Sequence, residues 1–197
     1  MHNIFTIVAK DKKSKARTGV LHTKSGDVET PFFMPVATKM TAKHVSPSDF
    51  EVMEARAIIS NAFILSLKPG TKVIKKAGGI GKFMNYYGIN FTDSGGFQMY
   101  TDSLYLGSDD NGVRFKDPFA GKMCYVTPEK DMQIQLDINS DVAMCLDSMP
   151  LIENSKKEIE KAVEKTSVWG ARCKKYHDNK QKNISEDKRQ ILYGIIQ

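Results

Sequence analysis

The sequence predicts an α/β fold built on parallel strands, and three observations carry that prediction. Short apolar runs recur without polar alternation, as in strands buried on both faces. Helical stretches separate them, so successive strands run parallel through crossover connections. Four of the runs end in a polar residue: Asn61, Asp93, Asp147 and Gln197. In a (β/α)8 barrel such strand ends converge on one face, where sites are built. A closed barrel of that type takes about 250 residues, whereas these 197 residues supply five parallel strands. The expectation is a single domain over 1–197: a partial (β/α)8, TIM-type barrel with an N-terminal antiparallel hairpin and a small β insertion.

Each element has a local reason. Residues 3–8 and 17–22 flank a basic turn, Lys10 to Arg17, and read as the hairpin; Ser25-Gly26-Asp27 turns on to Val28-Glu29-Thr30. Pro31 to Ala37 is the first apolar run. Ser46 and Pro47 then suit N-cap and N1 of a helix reaching about Ala55. Ala57 to Asn61 is the second strand, and a helix from Lys72 to Ala77 stops at Gly78-Gly79. The third strand ends at Asp93. Turns at Gly107 to Gly112 and Asp117 to Gly121 organise the antiparallel insertion. Thr127 and Pro128 open another helix, and Ser140 to Asp147 is the fourth strand. Residues 155–177 form a long helix, with Ile159, Ala162, Val163, Thr166, Trp169, Cys173 and Tyr176 at helical spacing. Its lysines read as a solvated face. A basic linker, 178–189, precedes the fifth strand, Gln190 to Gln197.

Composition removes several classes. Apolar residues make up 41% and charged residues 26%, the balance of a soluble globular protein. No apolar stretch reaches the ~18 residues of a helical span, and Met1-His2-Asn3-Ile4 opens no secretory pattern. No membrane association is expected. Cys124, Cys145 and Cys173 lie far apart, which fits neither a disulfide framework nor a zinc knuckle. They suit a reducing compartment, so the expected location is cytoplasmic. The net charge of +6 favours a polyanionic partner. No Gly-x-Gly-x-x-Gly or Gly-Lys-Ser/Thr loop is present, which weighs against the mononucleotide-binding folds.

The stretch Asn90-Phe91-Thr92-Asp93-Ser94-Gly95-Gly96-Phe97-Gln98 concentrates chemistry at one strand end. Asp93 stands where the strand stops. Gly95 and Gly96 allow a sharp turn and close approach of a ligand. Phe97 offers a flat face for a planar ring, and Gln98 can donate and accept. The same residues also suit a strand–turn–helix joint with Asp93 as a cap.

Thr92-Asp93-Ser94-Gly95-Gly96-Phe97-Gln98 resembles the signature of the tRNA-guanine transglycosylases. Other segments are similar to motifs of that family in the same order. They are Thr30-Pro31-Phe32-Phe33-Met34-Pro35-Val36, Ile59-Ser60-Asn61-Ala62-Phe63 with Leu67-Lys68-Pro69-Gly70, and Phe83-Met84-Asn85. Gly112-Val113-Arg114-Phe115 with Asp117-Pro118, Thr127-Pro128-Glu129-Lys130 and Gly194-Ile195-Ile196-Gln197 complete the series. The resemblance covers nearly the whole chain, is nearer the bacterial and eukaryotic type than the archaeal one, and corresponds to the family's N-terminal half.

The resemblance implies an enzyme that replaces guanine in tRNA by a 7-deazaguanine, as in queuosine and archaeosine formation, through a covalent ribosyl-enzyme intermediate. On that reading Asp93 is the catalytic acid–base group and contacts the base, Ser94 borders the pocket, and Phe97 stacks on the purine. Asp147 accepts from the purine's ring N–H and amine, Gln197 meets its carbonyl side, and Asn61 orients the carboxylates. Two differences from the bacterial pattern stand out: Ala62-Phe63-Ile64 follows Asn61, and Ser148-Met149-Pro150 follows Asp147. The family's nucleophilic aspartate and its Cys/His zinc site belong to the second half, so no cofactor is expected in this chain. The expected partners are tRNA, guanine or a 7-deazaguanine, and a complementary C-terminal-half polypeptide or an oligomer of either kind. The alternative reading is a non-catalytic tRNA-binding or regulatory subunit, or an inactive gene fragment.

Overall fold

The computed structural model describes residues 3–42, 44–95, 104–150 and 153–196. Its centre is a four-stranded parallel sheet in the order β10–β9–β5–β4. The strands are β4 (Ala57–Asn61), β5 (Ile89–Asp93), β9 (Val142–Met144) and β10 (Ile191–Tyr193). They lie side by side in chain order, each new strand added at the same edge. β4 and β5 pair from Ala57↔Ile89 to Asn61↔Asp93, and β5 meets β9 at Phe91↔Val142.

Strand alternation divides the sheet into two faces. Ala57, Ile89, Phe91, Val142 and Ile191 share one face and pack with Leu21 and Val28. Those partners come from an antiparallel sheet of β1 (Phe5–Lys10), β2 (Arg17–Thr23) and β3 (Gly26–Glu29), which realises the expected hairpin. The other face receives helices. Ile58 packs in a cluster with Phe50 of α1 (Pro47–Val52), Leu65 of α2 (Ala62–Leu65), Ile74 of α3 (Thr71–Lys76) and Ile80 of α4 (Ile80–Met84). Between β5 and β9 come the expected insertion, β6 (Tyr105–Ser108), β7 (Val113–Lys116) and β8 (Met123–Val126), and then α5 (Pro128–Ile138). α6 (Lys156–Gln181) connects β9 to β10.

The helix starts follow their caps. Ser46 and Asp49 form a reciprocal capping box on α1, Ser155 and Glu158 do the same on α6, and Thr127 accepts from the Lys130 N–H of α5. The short α2 and α4 were not among the sequence-based expectations. Met84 and Ile80 of α4 are buried.

Three expectations are corrected. Pro31 to Ala37 does not form a buried strand; Val36 makes a single parallel bridge to Ile59. The segment still runs along β4, with Ala37 N donating to Ile59 O at 2.7 Å and Asn61 N to Thr38 O at 3.3 Å. Pro31 and Pro35 lack the N–H groups a ladder needs, and Phe33 is 81% exposed. The fourth and fifth strands are shorter than expected, at Val142–Met144 and Ile191–Tyr193. The long helix continues past residue 177 to Gln181. The reason is a buried polar anchor: Gln181 Oε1 accepts from Gln190 N at 2.8 Å, and the His177 ring meets the Gln190 side chain at 3.1 Å.

Candidate active site at the strand ends

Parallel register brings the polar strand ends together. Asn61 and Asp93 are direct neighbours at the ends of β4 and β5. They share the parity of Phe91 and Ile89, the face away from α2–α4. Asp147 follows β9 by three residues, and its charge acts on Asp93. Ser94 is buried. Asn61, Asp93, Ser94 and Asp147 therefore gather at one end of the sheet. Phe97, with Gly96 and Gln98, and Gln197 lie outside the described residues.

The turn after β5 has little room. Asp93 Oδ1 accepts from the Gly95 N–H at 2.8 Å. Gly95 has φ +82°, and a Cβ there would lie 2.5 Å from Phe63 Cβ and 2.9 Å from Asn61 Oδ1. Glycine is thus required both by the backbone conformation and by the packing. Asn61 also caps α2, its Oδ1 accepting from Ile64 N at 2.7 Å. Asp147 is not a helix cap: α6 begins at Lys156 under Ser155. Beyond Asp147, Ser148 N donates to Thr166 Oγ1 at 3.0 Å, which moors the loop to α6.

Electrostatics set Asp93 apart. Burial pushes its pKa up to about 6, the Gly95 N–H opposes this, and the charge of Asp147 adds to the rise. A carboxyl that titrates near neutrality can exchange a proton with a bound base.

Two residues that sequence reasoning did not single out for the site lie behind the sheet. Gln135 of α5 makes four contacts: Oε1 accepts from Thr92 Oγ1 (2.9 Å) and Met144 N (3.1 Å), and Nε2 donates to Met144 O (2.8 Å) and Asp131 Oδ2 (2.9 Å). It holds β5 and β9 together one residue before Asp93 and three before Asp147. Asp131 is fully buried, and its Oδ1 has no hydrogen-bond partner among the described residues. Burial raises its pKa well above the usual value, with Asp93, Cys145 and Asp147 adding to the rise. The signal was available: Asp131, Gln135 and Ile138 recur with Met132 on the buried face of α5, so two polar residues occupy core positions.

A cleft of about 680 Å³ lies elsewhere, lined by residues that include Lys24, His177, Gln190 and Ile191. It is at the opposite end of the sheet, where Lys24 Nζ donates to Ser140 O just before β9. Among the described residues no group of three or more His, Cys, Asp or Glu could hold a metal ion. Cys145 and Cys173 are packed in an apolar cluster with Trp169. Among the described residues no helix is long and apolar enough to cross a membrane.

Parallel strands that deliver two carboxyls to one end, with a glycine turn between strand and site, define an α/β protein with a strand-end acidic site. The family model of queuine tRNA-ribosyltransferase matches residues 11–197, and the chain belongs to that family. It is 42% identical over 186 residues to the queuine tRNA-ribosyltransferases of Staphylococcus aureus strains JH9 and MW2. The match takes in 94% of this chain and 47% of each relative. The chain thus spans about half the length of the curated relatives it matches.

Proposed function

We propose that these residues form the base-recognition half of a tRNA-guanine transglycosylase, a cytoplasmic pentosyltransferase that exchanges guanine in tRNA for a 7-deazaguanine. The supporting observation is the pairing of Asp93 and Asp147 at adjacent strand ends, with the pKa of Asp93 raised to about 6. In this reading a carboxylate from a complementary half attacks ribose C1′ and the bond from C1′ to the guanine N9 breaks. A covalent ribosyl-enzyme results. The incoming base then attacks C1′ through its N9 and the bond to the carboxylate breaks. The leaving purine takes up a proton and the incoming base gives one up, so the protons balance, and Asp93 mediates both transfers. Asp147 accepts from the ring N–H and exocyclic amine, a donor pair that suits a carboxylate. Phe97 stacks on the purine, Ser94 borders it, Gln197 meets its carbonyl, and Asn61 orients the acids.

The parallel sheet and the segment at residues 35–38 are then five consecutive wall segments of a (β/α)8 barrel, with residues 1–197 as one domain. The remaining wall, the nucleophile and the zinc site come from outside these residues. Incubation with tRNA and labelled guanine tests the reading. The chain by itself should incorporate none, and adding the complementary half should start exchange. Exchange by the chain alone overturns the division of labour; none with both halves overturns the function.

A further inference from the structure

The turn between β7 and β8 carries an exposed aromatic ring among cations. Phe119 is 47% exposed. Lys39 Nζ and Lys68 Nζ lie 5.8 and 5.6 Å from its ring centroid. Lys116 and Lys122 flank the same turn and are exposed. The one acid of the turn is committed internally, since Asp117 Oδ1 accepts from Phe119 N at 2.7 Å and Ala120 N at 3.1 Å. Gly121 N donating to Asp117 O and Asp117 N to Lys122 O, both at 2.8 Å, brace the turn further. Phe119 is therefore held out by a braced loop. Among the described residues none of the four lysines forms an ion pair.

This patch is at the same end of the sheet as Asp93. Lys39 follows Thr38, whose carbonyl pairs with Asn61 N. Lys68 follows α2, which Asn61 caps. Phe115 of β7 packs edge-on against Phe63, with ring centroids 4.0 Å apart, and Phe63 is the residue against which Gly95 turns.

We propose that Phe119 with Lys39 and Lys68 is a single-stranded RNA contact at the mouth of the site: a stacking platform for one base, with cations placed for the adjoining phosphates. The proposal rests on tRNA being the substrate. An enzyme that works on a base must take it out of its stack, which leaves a neighbouring base without a partner. An exposed ring can stack on that base whatever its identity, and lysines beside the ring follow the backbone. On α6 the rings beside lysines are less available: Trp169, 5.7 Å from Lys165 Nζ, is buried, and Tyr176, 5.2 Å from Lys180 Nζ, is partly buried and packed against the core.

Fluorescence anisotropy of the chain with a labelled RNA stem-loop, its guanine in the loop, tests this. Phe119→Ala should weaken binding about 5- to 150-fold, the range of one lost base stack. Phe119→Leu should weaken it similarly, and Phe119→Tyr, which keeps the ring, should retain it. Lys39→Gln with Lys68→Gln should flatten the dependence of affinity on salt by about 1.4 in log–log slope. The pair Lys157→Gln and Lys161→Gln on α6 should not. Circular dichroism verifies that each variant is folded. Unchanged affinity in the Phe119→Ala and Lys39/Lys68 variants, or no binding by the unaltered chain at low salt, overturns the proposal. Binding that depends on Phe119 without exchange in the reconstituted enzyme would keep the RNA contact and reject the catalytic reading.

Discussion

The two ends of the parallel sheet treat buried acids in opposite ways. At the beginning of β9, Asp141 accepts from Ser25 Oγ at 2.6 Å and from Asn90 N at 2.8 Å, and Lys24 lies close enough for its charge to act on it. That acid ties the N-terminal antiparallel sheet to β5 and β9. At the far end Asp93 has the Gly95 N–H and faces a like charge on Asp147. Asp131 behind them has an oxygen with no hydrogen-bond partner among the described residues. Burial raises the pKa of Asp141 as well, against its hydrogen bonds and Lys24. The difference is that one end gives its carboxylate partners that join parts, while the other keeps carboxyls beside a like charge. A fold tolerates the second arrangement because the first, and the apolar clusters, hold the same strands.

The sharpest way to break this contrast is at Asp93. In the assembled enzyme Asp93→Asn should lower turnover by about 10²–10⁴-fold, the usual contribution of an acid–base group. Affinity for tRNA, governed by phosphate contacts, should change little. The same substitution should stabilise the fold. The folded pKa of about 6 exceeds the ordinary 3.8, so Asp93 supports folding fully below about pH 4 and loses that support as pH rises through 6. Removing the charge should recover on the order of 2 kcal/mol above pH 6. Steady-state kinetics and urea unfolding at pH 5 and 8 check both; normal turnover would reduce Asp93 to a structural cap.

At the other end Asp141→Ala should destabilise at neutral pH, by about 1–3 kcal/mol, because it leaves the Asn90 N–H buried without an acceptor. A neutral effect in urea unfolding would erase the contrast. Gly95→Ala should cost about 1–3 kcal/mol through its left-handed φ and its collision with Phe63, with exchange in the reconstituted enzyme reduced as well. Asp131→Asn tests the enclosed acid through stability alone. Its folded pKa is raised, so its support for folding is lost as pH rises. The variant should gain stability relative to the natural chain between pH 5 and 8, read as a shift of the urea midpoint. A loss of stability at pH 8 would show that the group is ionised and needed.

Much of this could be read from residues alone. Ser46-Pro47 and Thr127-Pro128 marked helix starts, and the polar ends of the apolar runs located Asn61, Asp93 and Asp147. Those signals are local, and so is the physics behind them: a cap or a strand end is decided within a few residues. The failures were non-local. Pro31 to Ala37 has the composition of a core strand, yet Phe33 faces outward, because prolines interrupt its ladder. Gln181 looks like a linker residue until Gln190 pairs with it. Asp131 in the first turn of a helix reads as a solvent-facing acid that suits the helix dipole. Its spacing with Met132, Gln135 and Ile138 puts it on the buried face of α5 instead. Phe97 and Gln197 fall outside the described residues.

The amide of Gln135 has a consequence for how such a protein can be assembled and altered. Since Gln135 spans from Thr92 to Met144, the spacing of the strands that carry the two acids is set within the four-stranded sheet and its own helix. A substitution at the exposed edge of the sheet should then leave the spacing of Asp93 and Asp147 as it is.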